Sequence, residues 1–223
     1  MQVVILCGGM GTRLREETES RPKPMVIMVV GVNGSGKTTQ ARALFRRLQS
    51  QGCPALLTHE PGGTPLGESI RRRLKTSRDL SPLSELFLFA AARAQLVQGV
   101  VGPALRDGIT VVCDRYTPST VAYQGYGLGL DLGLIDQVNR EATGGLSPDL
   151  IILLDLPPEL TVTRKGKKAQ DVFDAAPLAF HGKVREAYLS QAAQAPGRWL
   201  VLDATRPLGE LTGEVWNKVQ PLL

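Results

Sequence analysis

Cysteine is scarce in this chain: only Cys7, Cys53 and Cys113 occur among 223 residues. An odd number without metal-ligand spacing excludes a disulfide scaffold and offers no zinc site, so reduced thiols and a cytoplasmic setting are expected. No unbroken apolar run approaches the roughly 18 residues that a bilayer span needs. The first residues lack the long apolar core of a secretion signal, so export and a membrane partner are both disfavoured. Internal repeats and low-complexity linkers are missing too, which argues against a solenoid or a string of small modules.

What is present fits one well-buried domain. Hydrophobic residues make up 43% and charged residues 21%, close to the globular average. The net charge of +5 suits an anionic ligand. Its basic residues are dispersed except at Arg71-Arg72-Arg73 and at 164–168, so no nucleic acid is expected, and the arginine triplet reads as a solvated helix face. Short apolar runs at Val26 to Val30, Ala55 to Leu57, Ile109 to Cys113, Leu150 to Leu154 and Trp199 to Leu202 alternate with helical periodicity. Ala41, Leu44, Phe45 and Leu48 share one helix face before a stop at Gly52, and Ser81-Pro82 opens another helix. This alternation predicts an α/β fold, a parallel five-stranded sheet with helices on both faces, and ligands gather beyond the carboxyl ends of such strands.

At one such end stands Gly31-Val32-Asn33-Gly34-Ser35-Gly36-Lys37-Thr38, followed by Thr39. A strand ahead and a helix behind give the pattern G-x-x-x-x-G-K-[ST] the context of a phosphate-binding loop. Its glycines let backbone N–H groups turn inward around phosphate oxygens. Lys37 then reaches the outer phosphates and Thr38 offers a hydroxyl to Mg2+, so a nucleoside triphosphate is the expected ligand. Asp114 follows the run Ile109 to Cys113, where a carboxylate either holds Mg2+ or merely closes a strand-end turn. Phe89 and Arg93 lie four apart on a helix, so a ring and a guanidinium share one face. Spacing alone leaves stacking on a base and plain core packing both open for Phe89.

Residues 1–25 read differently from the rest. A short strand, Val3 to Leu6, precedes Cys7-Gly8-Gly9-Met10-Gly11-Thr12-Arg13 and then Arg21-Pro22-Lys23-Pro24. This resembles the opening signature of sugar-phosphate nucleotidylyltransferases, whose sugar-binding body has no counterpart here. The expected organisation is an appended N-terminal extension over 1–25 and one phosphate-loop domain over 26–223.

From the phosphate loop onward the chain resembles the thymidylate kinase family. The pieces are that loop, Glu60-Pro61-Gly62-Gly63-Thr64-Pro65-Leu66-Gly67, the run Leu83 to Gln95, Asp114-Arg115-Tyr116 and Ala122-Tyr123-Gln124-Gly125-Tyr126-Gly127. Ala142-Thr143-Gly144-Gly145-Leu146, Leu154-Asp155-Leu156-Pro157-Pro158 and Asp203-Ala204-Thr205-Arg206-Pro207-Leu208 complete it. The resemblance implies a nucleoside monophosphate kinase that moves the γ-phosphoryl group of ATP to dTMP, with Mg2+, as a homodimer. It assigns the ATP phosphates to Gly31 through Thr39 and the metal to Thr38 and Asp114. Lys37, Arg115 and Arg164 become the catalytic cations. Glu60, Phe89, Arg93, Arg115, Thr120, Tyr123 and Gln124 become the deoxynucleotide pocket. Arg164-Lys165-Gly166-Lys167-Lys168 resembles the closing lid, although a solvated basic loop would read the same way.

Four positions depart from the family's usual pattern. Asn33 replaces a carboxylate, Val30 a commonly acidic residue, Ala92 an aspartate, and Asp171-Val172-Phe173-Asp174 lacks an arginine after its first aspartate. These motivate an alternative, a catalytically impaired nucleotide-binding protein of the same fold. A nucleotidylyltransferase fragment and a regulatory GTPase are weaker alternatives, the latter for want of an Asn-Lys-x-Asp or Thr-Lys-x-Asp element.

Overall fold

The structure, a computed structural model, describes residues 23–77, 79–165 and 176–223, the side chains of 162–165 excepted. The leading segment with its Cys7 to Arg13 turn therefore lies outside the described residues, while Lys23 is exposed. Five strands, β1 Val26–Val30, β2 Ala55–His59, β3 Thr110–Asp114, β4 Leu150–Asp155 and β5 Trp199–Asp203, form one parallel sheet in the order β2-β3-β1-β4-β5. Each begins at or within a residue of the expected apolar run. β1 is buried along its whole length because helices cover both faces, which explains its unbroken apolar sequence. Val26 pairs with Val111 and Met28 with Ile151.

Helix α1, Lys37–Ser50, buries Ala41, Leu44 and Leu48 on the expected face and ends before Gly52 at φ 74°. Helix α2, Pro65–Thr76, packs on α3, Pro82–Leu96, which starts where expected: the Ser81 hydroxyl accepts the Ser84 N–H at 3.2 Å and Pro82 fills the first turn. One correction concerns α3. It runs on through Val97–Val101 and Gly102–Arg106, and the segment Pro82–Arg106 has the length and mean hydropathy, 1.3, to cross a membrane. The sequence hid this because Arg93 and the polar residues around it interrupt every apolar run. In the fold this segment is a scaffold helix that packs on α2 and on α5, Leu132–Thr143. Helices α4, Thr117–Thr120, α6, Pro158–Lys165, α7, Leu178–Gln194, and α8, Leu208–Val219, complete the layers; α4 widens into a looser turn over Val121–Gly127.

Because all strands are parallel, the ends of β1, β2 and β3 reach one edge of the sheet. There the Glu60 N–H donates to the Asp114 carbonyl at 2.9 Å and the Arg115 N–H to the Val29 carbonyl at 3.0 Å. Gly31 makes the turn out of β1 at φ 141°, and a Cβ there would stand 2.5 Å from the Leu154 carbonyl oxygen. Neither condition tolerates a side chain. Gly31→Ala is therefore expected to destabilise the fold by about 2 to 4 kcal/mol, read as a lowered urea midpoint with an unchanged m-value.

Candidate active site

The phosphate loop joins β1 to α1, and its last glycine, Gly36, is the αL residue from which the helix starts. The helix therefore aims its first free N–H groups at the loop. The Lys37 side chain is buried and its Nζ donates to the Val32 carbonyl at 2.8 Å, which curls the loop around it. Thr38 Oγ1 donates to Asp114 Oδ2 at 2.5 Å. The second carboxylate oxygen, Asp114 Oδ1, is buried without a hydrogen-bond partner among the described residues.

A cavity of about 280 Å³ opens from this point, bordered by Asn33, Lys37 and Thr38 at one end and by Phe89, Tyr123 and Gln124 at the other. Arg115 stands between the ends at φ 72°, a left-handed backbone that costs a non-glycine residue on the order of 1 to 3 kcal/mol. Its Nη2 donates to Asn33 Oδ1 and, at 3.3 Å, to the Tyr123 hydroxyl, and its guanidinium lies 4.9 Å from the Tyr123 ring centre. The strained turn thus aims a planar cation into the cavity from a strand end.

Arg93 is 1% exposed and closes the floor. Nε donates to Glu60 Oε2 at 2.9 Å, Nη1 to Asn139 Oδ1 at 2.5 Å and Nη2 to Thr120 Oγ1 at 2.9 Å. Burial raises the Glu60 carboxyl above its ordinary range although Arg93 pulls the other way. Glu60 Oε1 has no hydrogen-bond partner among the described residues. Gln124 Nε2 donates to Glu85 Oε1 at 2.5 Å. Phe89 is half-buried against the cluster of Ile70, Leu74 and Ala92 and also borders the cavity, so both of its sequence readings hold in part.

Of the expected site residues, Asn33, Gly34, Lys37, Thr38, Glu60, Phe89, Arg93, Asp114, Arg115, Thr120, Tyr123 and Gln124 line one cavity, whereas Gly31, Val32, Ser35, Gly36 and Thr39 of the phosphate loop do not line it. The Arg164 side chain and residues 166–174, with the expected lid and Val172, lie outside the described residues. Of the other departures, Val30 and Ala92 are buried in apolar packing, and Asn33 is the acceptor for Arg115. One expectation is corrected. Arg71 is not on a solvated face: its Nη1 donates to the Pro61 carbonyl at 2.9 Å and it lines the cavity, while Arg72 and Arg73 are exposed. Lys75, one turn further, lines the same wall. Their four-residue spacing was the available signal. Asn139 and Glu85 were missed because long-range packing brings them here, and His59 was missed although it directly precedes Glu60 at the end of β2.

Burial pushes the Glu85 carboxyl up to about 7, and the Gln124 hydrogen bond only partly offsets this. The folded chain therefore keeps a proton on Glu85 above pH 4.5, the ordinary value, where the unfolded chain has lost it. The stability contributed by this group is complete below pH 4.5 and is lost as pH rises through about 7. Glu85→Gln is accordingly expected to raise Tm at about pH 8 by about 3 to 6 °C and by much less at about pH 5; calorimetry at both values checks it.

Comparison with known proteins agrees with this geometry. The family profile described as thymidylate kinase matches residues 29–215. A thymidylate kinase of Deinococcus radiodurans is 48% identical over 197 residues, 87% of this chain and 96% of its own. One from Dehalococcoides mccartyi is 47% identical over 201 residues, 89% of this chain and 97% of its own. The crystal structure of thymidylate kinase from Ehrlichia chaffeensis superposes with a TM-score of 0.74 at 33% identity, over 89% of this chain and all of that one. Profile, near-half identity along almost the full length of the relatives and a shared fold all agree: the chain belongs to the thymidylate kinase family.

Proposed function

We propose that the chain transfers the γ-phosphoryl group of ATP to the phosphate of dTMP, giving ADP and dTDP. The observation that carries this is that one cavity is bordered by phosphate-loop residues, by Arg115 and by Phe89 and Gln124. Phosphoryl transfer asks little covalent chemistry of a protein and much positioning and charge stabilisation. Gly31 through Thr39 would hold the ATP phosphates, with Lys37 moving from the Val32 carbonyl to the outer oxygens. Arg115, held by Asn33 and Tyr123, presents its fork to the acceptor phosphate. Phe89 stacks on the base, Gln124 meets its polar edge, and Thr120 and Tyr123 wall the sugar. Arg93 and Glu60 fix that floor. Arg164 is the cation assigned to closure over the transferred group.

The donor set suits Mg2+: Thr38 supplies a hydroxyl oxygen and Asp114 a carboxylate with one buried oxygen left unpartnered, hard ligands for a cation that keeps waters and phosphate oxygens besides. Mg2+ held there would neutralise charge on the triphosphate. A homodimer is supported by the exposed apolar residues of the long helix, Leu83 and Phe87, which lie 41% and 52% exposed. The cytoplasmic setting fits Cys53 and Cys113, both free. Residues 1–25 are read as an appended extension outside the 29–215 match.

A second reading, binding without turnover, rests on Asn33, whose amide replaces a carboxylate beside Arg115. A coupled assay of ADP release with dTMP, dUMP, dCMP and dGMP separates the two: dTMP is expected to give the highest kcat/KM. ADP release with another monophosphate and none with dTMP refutes the acceptor, and binding without release supports the second reading. Lys37→Ala is expected to cut kcat/KM for ATP by about a hundredfold or more, and Arg115→Lys that for dTMP by about ten- to a hundredfold.

A further inference from the structure

A glutamine side chain ends in a donor and an acceptor of nearly the same shape, so a half-turn of the amide reverses what it offers a ligand. Gln124 is 1% exposed, borders the cavity, and makes its one side-chain hydrogen bond among the described residues to Glu85. An ionised carboxylate only accepts hydrogen bonds. Above about pH 7, where Glu85 is ionised, the Gln124 Nε2 faces it at 2.5 Å, because the reversed amide would set oxygen against oxygen. Below it, a protonated Glu85 both donates and accepts, meets either orientation and no longer fixes the amide. The ionised form leaves Oε1 as the atom free to meet a ligand.

We propose that Glu85 is a positioning residue that fixes the Gln124 amide with its carbonyl oxygen toward the nucleobase, and thereby favours bases whose ring nitrogen carries a hydrogen over those whose ring nitrogen accepts one. Thymine presents N3–H at its polar edge; cytosine presents a bare N3 beside an amino group. This rests on the reading of the cavity as the dTMP pocket.

Glu85 stands in the first turn of α3, where the helix dipole favours an acidic residue, but that role does not call for its contact with Gln124. Glu85, Phe89 and Arg93 follow one another at four-residue spacing on α3, yet Arg93 is committed to Glu60, Asn139 and Thr120 and leaves Glu85 without a cation. Burial opposes its ionisation, with only the Gln124 amide to offset it. A group that weakens the fold when charged, and that touches one pocket residue, is accounted for by what it does to that residue.

The test is steady-state kinetics at about pH 8.5 and saturating ATP, with dTMP and dCMP, for the wild type, Glu85→Ala, Glu85→Gln, Gln124→Ala and the double variant Glu85→Ala with Gln124→Ala. Glu85→Ala is expected to raise KM for dTMP about tenfold with kcat within about twofold, and to narrow the dTMP to dCMP ratio of kcat/KM about tenfold. Glu85→Gln keeps the shape and an acceptor but tolerates either amide orientation. It is expected to hold KM within about threefold of wild type and to narrow the ratio about threefold, and it carries the test if Glu85→Ala does not fold. The double variant should be no worse than Gln124→Ala alone. An unchanged ratio in the Glu85 variants, or additive losses in the double, overturns the positioning role while a raised KM in Gln124→Ala keeps the pocket reading. If Gln124→Ala leaves KM for dTMP unchanged, the pocket reading itself fails and the proposal with it.

Discussion

The pocket end of the cavity depends on one buried cation. Arg93 is almost wholly removed from water, and a guanidinium cannot shed its charge in a protein, so each exposed direction must be met by an oxygen. It is met from three separate parts of the chain: Glu60 after β2, Thr120 at the end of α4 and Asn139 on α5. One side chain thus fixes the relative positions of a strand end and three helices around a common cavity. Removing any partner would leave a buried charge short of a hydrogen bond, a far larger cost than the contact itself suggests. Among the described residues Glu60 Oε1 has no partner while its twin holds Arg93.

The other end is held by backbone rather than by charge. Parallel strands place the turn after β1 and the turn after β3 side by side, and the Arg115 N–H to Val29 carbonyl bond stitches them together. Arg115 pays for its position with a left-handed φ, which in a residue other than glycine persists only where surrounding contacts over-determine it. Asn33, Tyr123 and that backbone bond supply the determination. The phosphate-loop end of the cavity and the end at Phe89 and Gln124 are therefore each tied to the strand ends, one by the sheet-edge bond of Arg115 and the other by the Arg93 hub.

What the sequence made legible is what local chemistry dictates. The phosphate loop is contiguous, and the central strands β1, β3 and β4 are apolar because both faces are covered, so each was readable from a window of a few residues. Arg71 was harder, because whether a helix face meets solvent or a cavity depends on how α2 lies on α3, and its four-residue spacing to Lys75 was the one local signal. Asn139 and Glu85 carried little signal: one lies 46 positions from its partner and the other 39, and although Glu85 stands four residues before Phe89, an ordinary helical asparagine or glutamate looks the same in sequence. The long helix was underestimated for the opposite reason, since the residue that gives it a purpose, Arg93, is the one that breaks its apolar run.

Asn33 shows how far such a departure reaches. A carboxylate at this position would meet the Arg115 guanidinium as an ion pair and compete with an acceptor phosphate for the same planar fork. The amide accepts from Arg115 through Oδ1 without that full charge, so it orients the cation while leaving more of its positive field for a phosphate. The amide therefore gives Arg115 an uncharged acceptor where a carboxylate would give it an ion pair. Its effect falls on how the acceptor is held more than on the sheet edge that holds Arg115, because the bond from Arg115 to Val29 uses backbone atoms that no side chain at position 33 can alter.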